Sequence, residues 1–76
     1  MPLYYLNICD ADEVIKDLEG YHLAGLDAAL KEAEEGAREI AANAIRSGRT
    51  VSKMSIDVVD EQGVKLASVR LQDIHF

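Results

Sequence analysis

Asp10, Asp12 and Glu13 crowd three carboxylates into one short stretch, the kind of oxygen cluster that could gather a hard cation. A calcium loop needs more oxygen ligands over a longer ordered spacing, so these residues read first as a solvated acidic turn. His22 and His75, with Asp17 or Glu19, supply the donors for a metal site. They lack the i,i+4 or paired spacing that marks one, and each is read as a surface histidine. Cys9 is the single cysteine. It has no internal disulfide partner, belongs to no zinc cluster, and stands beside acid rather than in the electropositive setting that lowers a thiol pKa. Arg46, Arg49 and Lys53 form the one local positive group, explained by complementarity to a helix C-terminus and alternatively by contact with an anionic partner. No Ser-His-Asp arrangement, glycine-rich phosphate loop or basic patch interleaved with aromatics occurs. The sequence therefore proposes no catalytic residue, no cofactor and no metal ligand, and it points away from an enzyme.

What would position any of these groups is a hairpin, a helix and a second hairpin. Met1 to Asp17 alternates like strands, Leu26 to Ser47 is apolar every three or four residues, and Met54 to Leu71 alternates again. This order predicts a single α+β domain over residues 1–76, β-β-α-β-β, with one helix packed on one face of a four-stranded antiparallel sheet. In the first hairpin Tyr4, Leu6 and Ile8 share a face, Asp10 to Glu13 turns the chain, and Val14-Ile15 is a short return. From Leu18 to Ala24 the chain crosses to the helix, with a bend at Gly20.

Along the helix, Leu26, Leu30, Ala33, Ala37, Ile40 and Ala44, widened by Ala29, Ala41 and Ile45, form the core stripe. Lys31, Glu32, Glu34, Glu35, Arg38, Glu39 and Arg46 face water, with Glu34 and Arg38 in the favourable i,i+4 order. The abundance of alanine, with Gly36, lets the helix approach the sheet closely. Gly25 or Asp27 is the N-cap, and Gly48 is placed to take the left-handed C′ position. In the second hairpin Asp60-Glu61-Gln62-Gly63 makes a type I turn with a glycine bulge. The alternation slips after Leu66, which predicts a bulge near Ala67-Ser68.

A domain of 76 residues buries only about 60% of its unfolded surface, so its stability is marginal and a partner subunit is a natural support. Net charge is −6, which repels phosphate backbones and anionic membranes and disfavours direct nucleic-acid binding. No apolar run approaches a membrane span, and Met1 to Ile8 has neither the basic start nor the cleavage site of a signal peptide, so a cytoplasmic protein is expected. With Tyr4, Leu6, Ile8, Ile56, Val58 and Leu66 beneath the helix, Leu3, Tyr5, Val59, Val69 and Leu71 fall on the other face or at an edge. One helix cannot cover both faces. The expectation is a homodimer that buries this second set.

Tyr4-Tyr5, Asp17-Leu18-Glu19-Gly20, Leu23, Ala28-Ala29, Glu32-Ala33, and Val58 with Asp60, Gly63, Leu66 and Val69 together resemble domain of unknown function family 6894, over nearly the full chain. That family consists of short, mostly bacterial proteins without an assigned activity, so the resemblance implies a single domain and brings no catalytic residues. A partial resemblance, carried by Asp17 to Gly20, Gly25 and the Ala/Glu-rich helix through Ala42, is to the sheet-and-helix domain of HicB-type antitoxins. It implies an oligomer that neutralises a small basic ribonuclease, although no DNA-binding extension follows before Phe76. The function expected is thus an acidic, non-enzymatic protein-interaction module acting as a homodimer. Alternatives are an antitoxin-like domain with a basic protein partner, or a small-ligand or metal-binding domain using His22 and the acidic turn.

Overall fold

The computed structural model describes residues 1–74. Strands β1 (Leu3–Asp10), β2 (Glu13–Ile15) and β3 (Tyr21–His22) precede helix α1 (Leu26–Arg46), and β4 (Met54–Val59) and β5 (Lys65–Arg70) follow it, with a 3₁₀ turn at Leu71–Asp73. The sheet runs β2-β1-β4-β5, antiparallel throughout, with β3 also paired to β1. Single-domain α+β architecture with one helix on an antiparallel sheet is as the periodicities predict. The addition is β3, formed inside what reads as a crossover: Leu3 pairs with His22 and Tyr4 with Tyr21.

Alternation decides what the sheet buries. Leu6 lies opposite Val58 and Ile8 opposite Ile56, and these side chains share the helix-facing surface because strand residues two apart point the same way. On β5, Val58 pairs with Ala67 and Ile56 with Val69, but Val59 pairs with Lys65. Leu66 is the extra residue of a β-bulge, one position ahead of where the slip is anticipated. The bulge resets the pleat, so Ala67, Val69 and Leu71 take the helix side. Two expected surface residues are thereby corrected: Leu71 is 2% exposed in the core and Val69 packs against it. Leu66, expected beneath the helix, is instead exposed.

Helix α1 sits over β4, β5 and the 3₁₀ turn and buries Ala29, Ala33, Ala37, Ala41 and Ala44. Small side chains allow the close approach; a Cβ added at Gly36 would meet Ile56 Cδ1 at 3.5 Å. Leu30 and Ile40 flank the alanine row as partly buried neighbours of the core. Leu26 and Ile45 are exposed rather than part of the stripe. Gly25 is the N-cap and provides no side-chain bond. At the other end Gly48 has φ +73°; its N–H donates to Ile45 O (3.1 Å) and that of Arg49 to Ala44 O (2.8 Å). These two bonds are those of a Schellman motif, which satisfies the last carbonyls. The turn before β5 also forms as anticipated: Gly63 has φ +83°, Gly63 N–H donates to Asp60 O, and Asp60 Oδ1 accepts from the N–H of Gln62 and Val64.

Candidate interaction surfaces

The face of the sheet away from α1 is mixed. Tyr5 and Val59 are direct cross-strand partners at one end, half-buried, with Leu3 next along β1. A shallow cleft of ≈ 330 Å³ there is lined by Tyr5, Leu18 and Val59 among polar neighbours that include Lys16 and Glu61, and Leu18 is 87% exposed. Of the five residues expected to form one apolar surface, Leu3, Tyr5 and Val59 remain on this side.

Towards the middle the same face turns polar: Asn7 lies opposite Asp57 and Cys9 opposite Ser55. Asp57 Oδ1 accepts from Ser68 Oγ (2.8 Å) and Oδ2 from the Cys9 thiol (3.4 Å). Burial, then the Asp57 hydrogen bond and the Asp57 charge, push the Cys9 thiol pKa up, against smaller opposing effects of Ser55 and Lys65. A thiol held protonated is a poor nucleophile. Asp57 is thus occupied by both Ser68 and Cys9, and Asn7 Oδ1 accepts from Asp17 N–H.

Asp17 organises the outer edge of β1. Backbone groups of alternate residues in a strand point to opposite edges, and Leu6 falls in the gap between the stretch paired with β2 and that paired with β3. Asp17 Oδ2 fills the gap by accepting from Leu6 N–H (3.2 Å), while Oδ1 accepts from the N–H of Glu19 (3.2 Å) and Gly20 (3.0 Å). Asp17 N–H in turn donates to Asn7 Oδ1 (3.0 Å). One carboxylate thus replaces a missing rung and holds the turn that returns the chain to β1, where Gly20 takes φ +75°. Asp17 is accordingly a structural residue in this molecule.

Helix α1 is flanked by two grooves of different character. On the β5 side, ≈ 440 Å³ is bordered by Glu34, Arg38, Arg70 and Asp73, in balanced charge, with Arg70 Nε 3.5 Å from Asp73. That is the only ion pair among the described residues, so the anticipated Glu34–Arg38 pair is not made. On the β1 side, ≈ 250 Å³ is floored by Leu6, Ile8, Ile40 and Ile56 and bordered by Glu32, Glu35 and Glu39, with Tyr21 and no cation in its lining. Ile15, paired with Ile8, extends the apolar surface outward at 64% exposure. Reading the glutamates simply as a solvated face misses this groove. The available signal was their placement around the helix: at 100° per residue, Glu32, Glu35 and Glu39 fall on one flank.

The acidic stretch and the histidine converge on nothing. Asp10 and Glu13 pair across the first hairpin, His22 Nδ1 lies 3.3 Å from Met1 O, and His75 is outside the described residues. Among the described residues no three His, Cys, Asp or Glu side chains gather as for a metal ion. Of the positive group, Arg46 donates to Asn43 Oδ1, and Lys53 O accepts from Ala11 N–H.

A family model for a domain of unknown function, DUF6894, matches residues 3–72, from the first strand into the 3₁₀ turn. The chain belongs to the DUF6894 family. In this DUF6894 domain the family-like stretch Asp17 to Gly20 is the edge clasp just described, and Asp60 and Gly63 are the hairpin turn. No curated protein and no solved structure gives a significant match. No helix among the described residues of the DUF6894 domain is long and apolar enough to cross a membrane.

Proposed function

We propose that this DUF6894 chain is a non-enzymatic, acidic protein-interaction module of the cytoplasm that acts as a homodimer. The observation that carries the reading is the apolar surface left outside the core: Tyr5 and Val59 paired on the open face, with Leu18 standing 87% exposed beside them. Exposed apolar groups clustered in this way mark association surfaces more often than scattered ones do. Size-exclusion chromatography with light scattering tests it. The expected result is a species of twice 8.3 kDa, converted to monomer by Tyr5→Lys with the circular dichroism spectrum retained. A single 8.3 kDa species at micromolar concentration would overturn the dimer.

A second reading, an antitoxin-like domain that covers a small basic ribonuclease, is favoured by the net charge of −6 and the glutamate-lined groove. Acidic and basic surfaces of this kind steer one another into contact. Co-expression with a basic, toxin-sized reading frame adjacent to the gene would give a stable complex, and a failure to co-purify would remove this version.

A further inference from the structure

We infer that the groove between α1 and β1 binds a cationic amphipathic segment of a partner protein, with the segment's apolar side on Leu6, Ile8 and Ile40, above buried Ile56, and its lysines or arginines against Glu32, Glu35 and Glu39. The inference rests on the interaction-module reading and narrows it to a surface and a chemistry.

Its origin is the off-centre seat of the helix. Because α1 lies over β4 and β5, the helix-facing side of β1 and β2 is left partly open, and half-buried Leu6 and Ile8 continue into exposed Ile15. A bare apolar strip of this kind calls for an apolar cover. The charge along its wall selects which cover. Glu32, Glu35 and Glu39 stand at successive i,i+3 and i,i+4 positions, where like charges weaken a helix, and none is within ion-pair distance of a cation among the described residues. The opposite groove supplies an internal comparison, with arginines interleaved among its acids.

A second copy of the chain is the poorer occupant, because it carries the same net charge of −6 to the contact and like net charges oppose association. From Glu32 to Glu39 the helix rises about 10 Å, two turns. A partner helix carrying cations three and four residues apart on one side, with leucine-like residues beside them, matches that length. This is the geometry of an amphipathic helix laid in a groove.

The test titrates a synthetic leucine–lysine amphipathic helix of about 18 residues, and its leucine–glutamate counterpart, into ¹⁵N-labelled protein followed by amide shifts. The lysine peptide is expected to shift Leu6, Ile8 and the Glu32–Ile40 flank, and the glutamate peptide nothing. Glu35→Lys with Glu39→Lys should weaken binding at least about tenfold, while Asp27→Lys with Glu34→Lys, the same charge change off this flank, should alter it less than about twofold. If the first double variant loses its dichroism, Glu35→Gln with Glu39→Gln is used, with an expected loss of about fivefold. Shifts on another face, equal loss in both double variants, or binding of the glutamate peptide would each overturn the inference. Light scattering of the free chain separates the two proposals: a monomer that takes the lysine peptide in the groove sinks the homodimer alone, whereas a dimer without groove shifts sinks this inference alone.

Discussion

Replacing Asp17 with alanine removes one carboxylate that serves three backbone donors at once. Leu6 N–H, on half-buried β1, loses its partner at 3.2 Å, and the N–H groups of Glu19 and Gly20 lose theirs at 3.2 and 3.0 Å. A partly buried amide left without an acceptor costs about 1–2 kcal/mol, and the two turn amides, which water reaches, about 0.5 kcal/mol each. The expected loss is therefore about 2–3 kcal/mol, against a total of roughly 4–11 kcal/mol for a domain of this length. At about 4–8 °C per kcal/mol, the thermal midpoint should fall by about 10–20 °C. Far-UV circular dichroism melts and urea titrations measure the loss, and hydrogen exchange reports where it arises, with the Leu6 amide losing protection first. Asp17→Asn should recover about half of the loss, because its oxygen can still serve the turn while its NH₂ would confront Leu6 N–H. An alanine variant within about 0.5 kcal/mol of the parent, with Leu6 still protected, would refute the clasp.

Ala33→Leu or Ala37→Leu, at positions with no exposed surface, should overpack the helix–sheet layer and lower stability by about 1–3 kcal/mol, whereas Ala42→Leu on the outer side should change it little in the same urea titration. Gly63→Ala meets no atom within 4 Å and bears only its φ of +83°, a cost of about 1 kcal/mol. Gly20→Ala, whose Cβ would lie 2.8 Å from Leu3 Cδ1 and 3.1 Å from Tyr4 O, should lose about 2 kcal/mol or more, and equal losses in the two variants would contradict this ranking. Ala11, a non-glycine residue at φ +54°, should accept glycine with a gain of up to about 1 kcal/mol. Cys9 should alkylate more slowly in the folded chain than in urea, and Asp57→Asn should speed it, because burial first and Asp57 second favour the neutral thiol. The linked stability is fully present below the pKa of the unfolded thiol and declines as pH rises from there through the higher folded value. A rise in stability over that alkaline range for the parent relative to Cys9→Ala would contradict the assignment.

The helix and both hairpins were legible because each is a run long enough for its period to show, and the helix C-terminus and the turn before β5 because Gly48 and Gly63 meet backbone demands that few other residues satisfy. Leu26 and Ile45 belong to the same helical spacing yet stand at its first and last turns; one step of 100° from buried Ala44 carries Ile45 out of the interface. Simple alternation puts Val69 and Leu71 on the wrong side, because a single extra residue, Leu66, inverts every side chain after it. Strand β3 has two residues, too few to show any period, and the turn before it is held by Asp17 Oδ1 through the N–H groups of Glu19 and Gly20, a contact that spacing does not encode. The groove on the β1 flank was hidden for another reason. Its floor comes from β1, β4 and α1 together, so it exists only once the helix is known to sit off-centre.

The clasp on β1 also governs how this sheet could grow. With that margin taken by β2, the Asp17 carboxylate and β3 in succession, a newcomer finds only three-residue and two-residue stubs there, while β5 offers six residues on the far side. A sheet with one usable border has nowhere to continue after its first union. Strand addition between copies would close on itself as a pair and could not run on into a fibre.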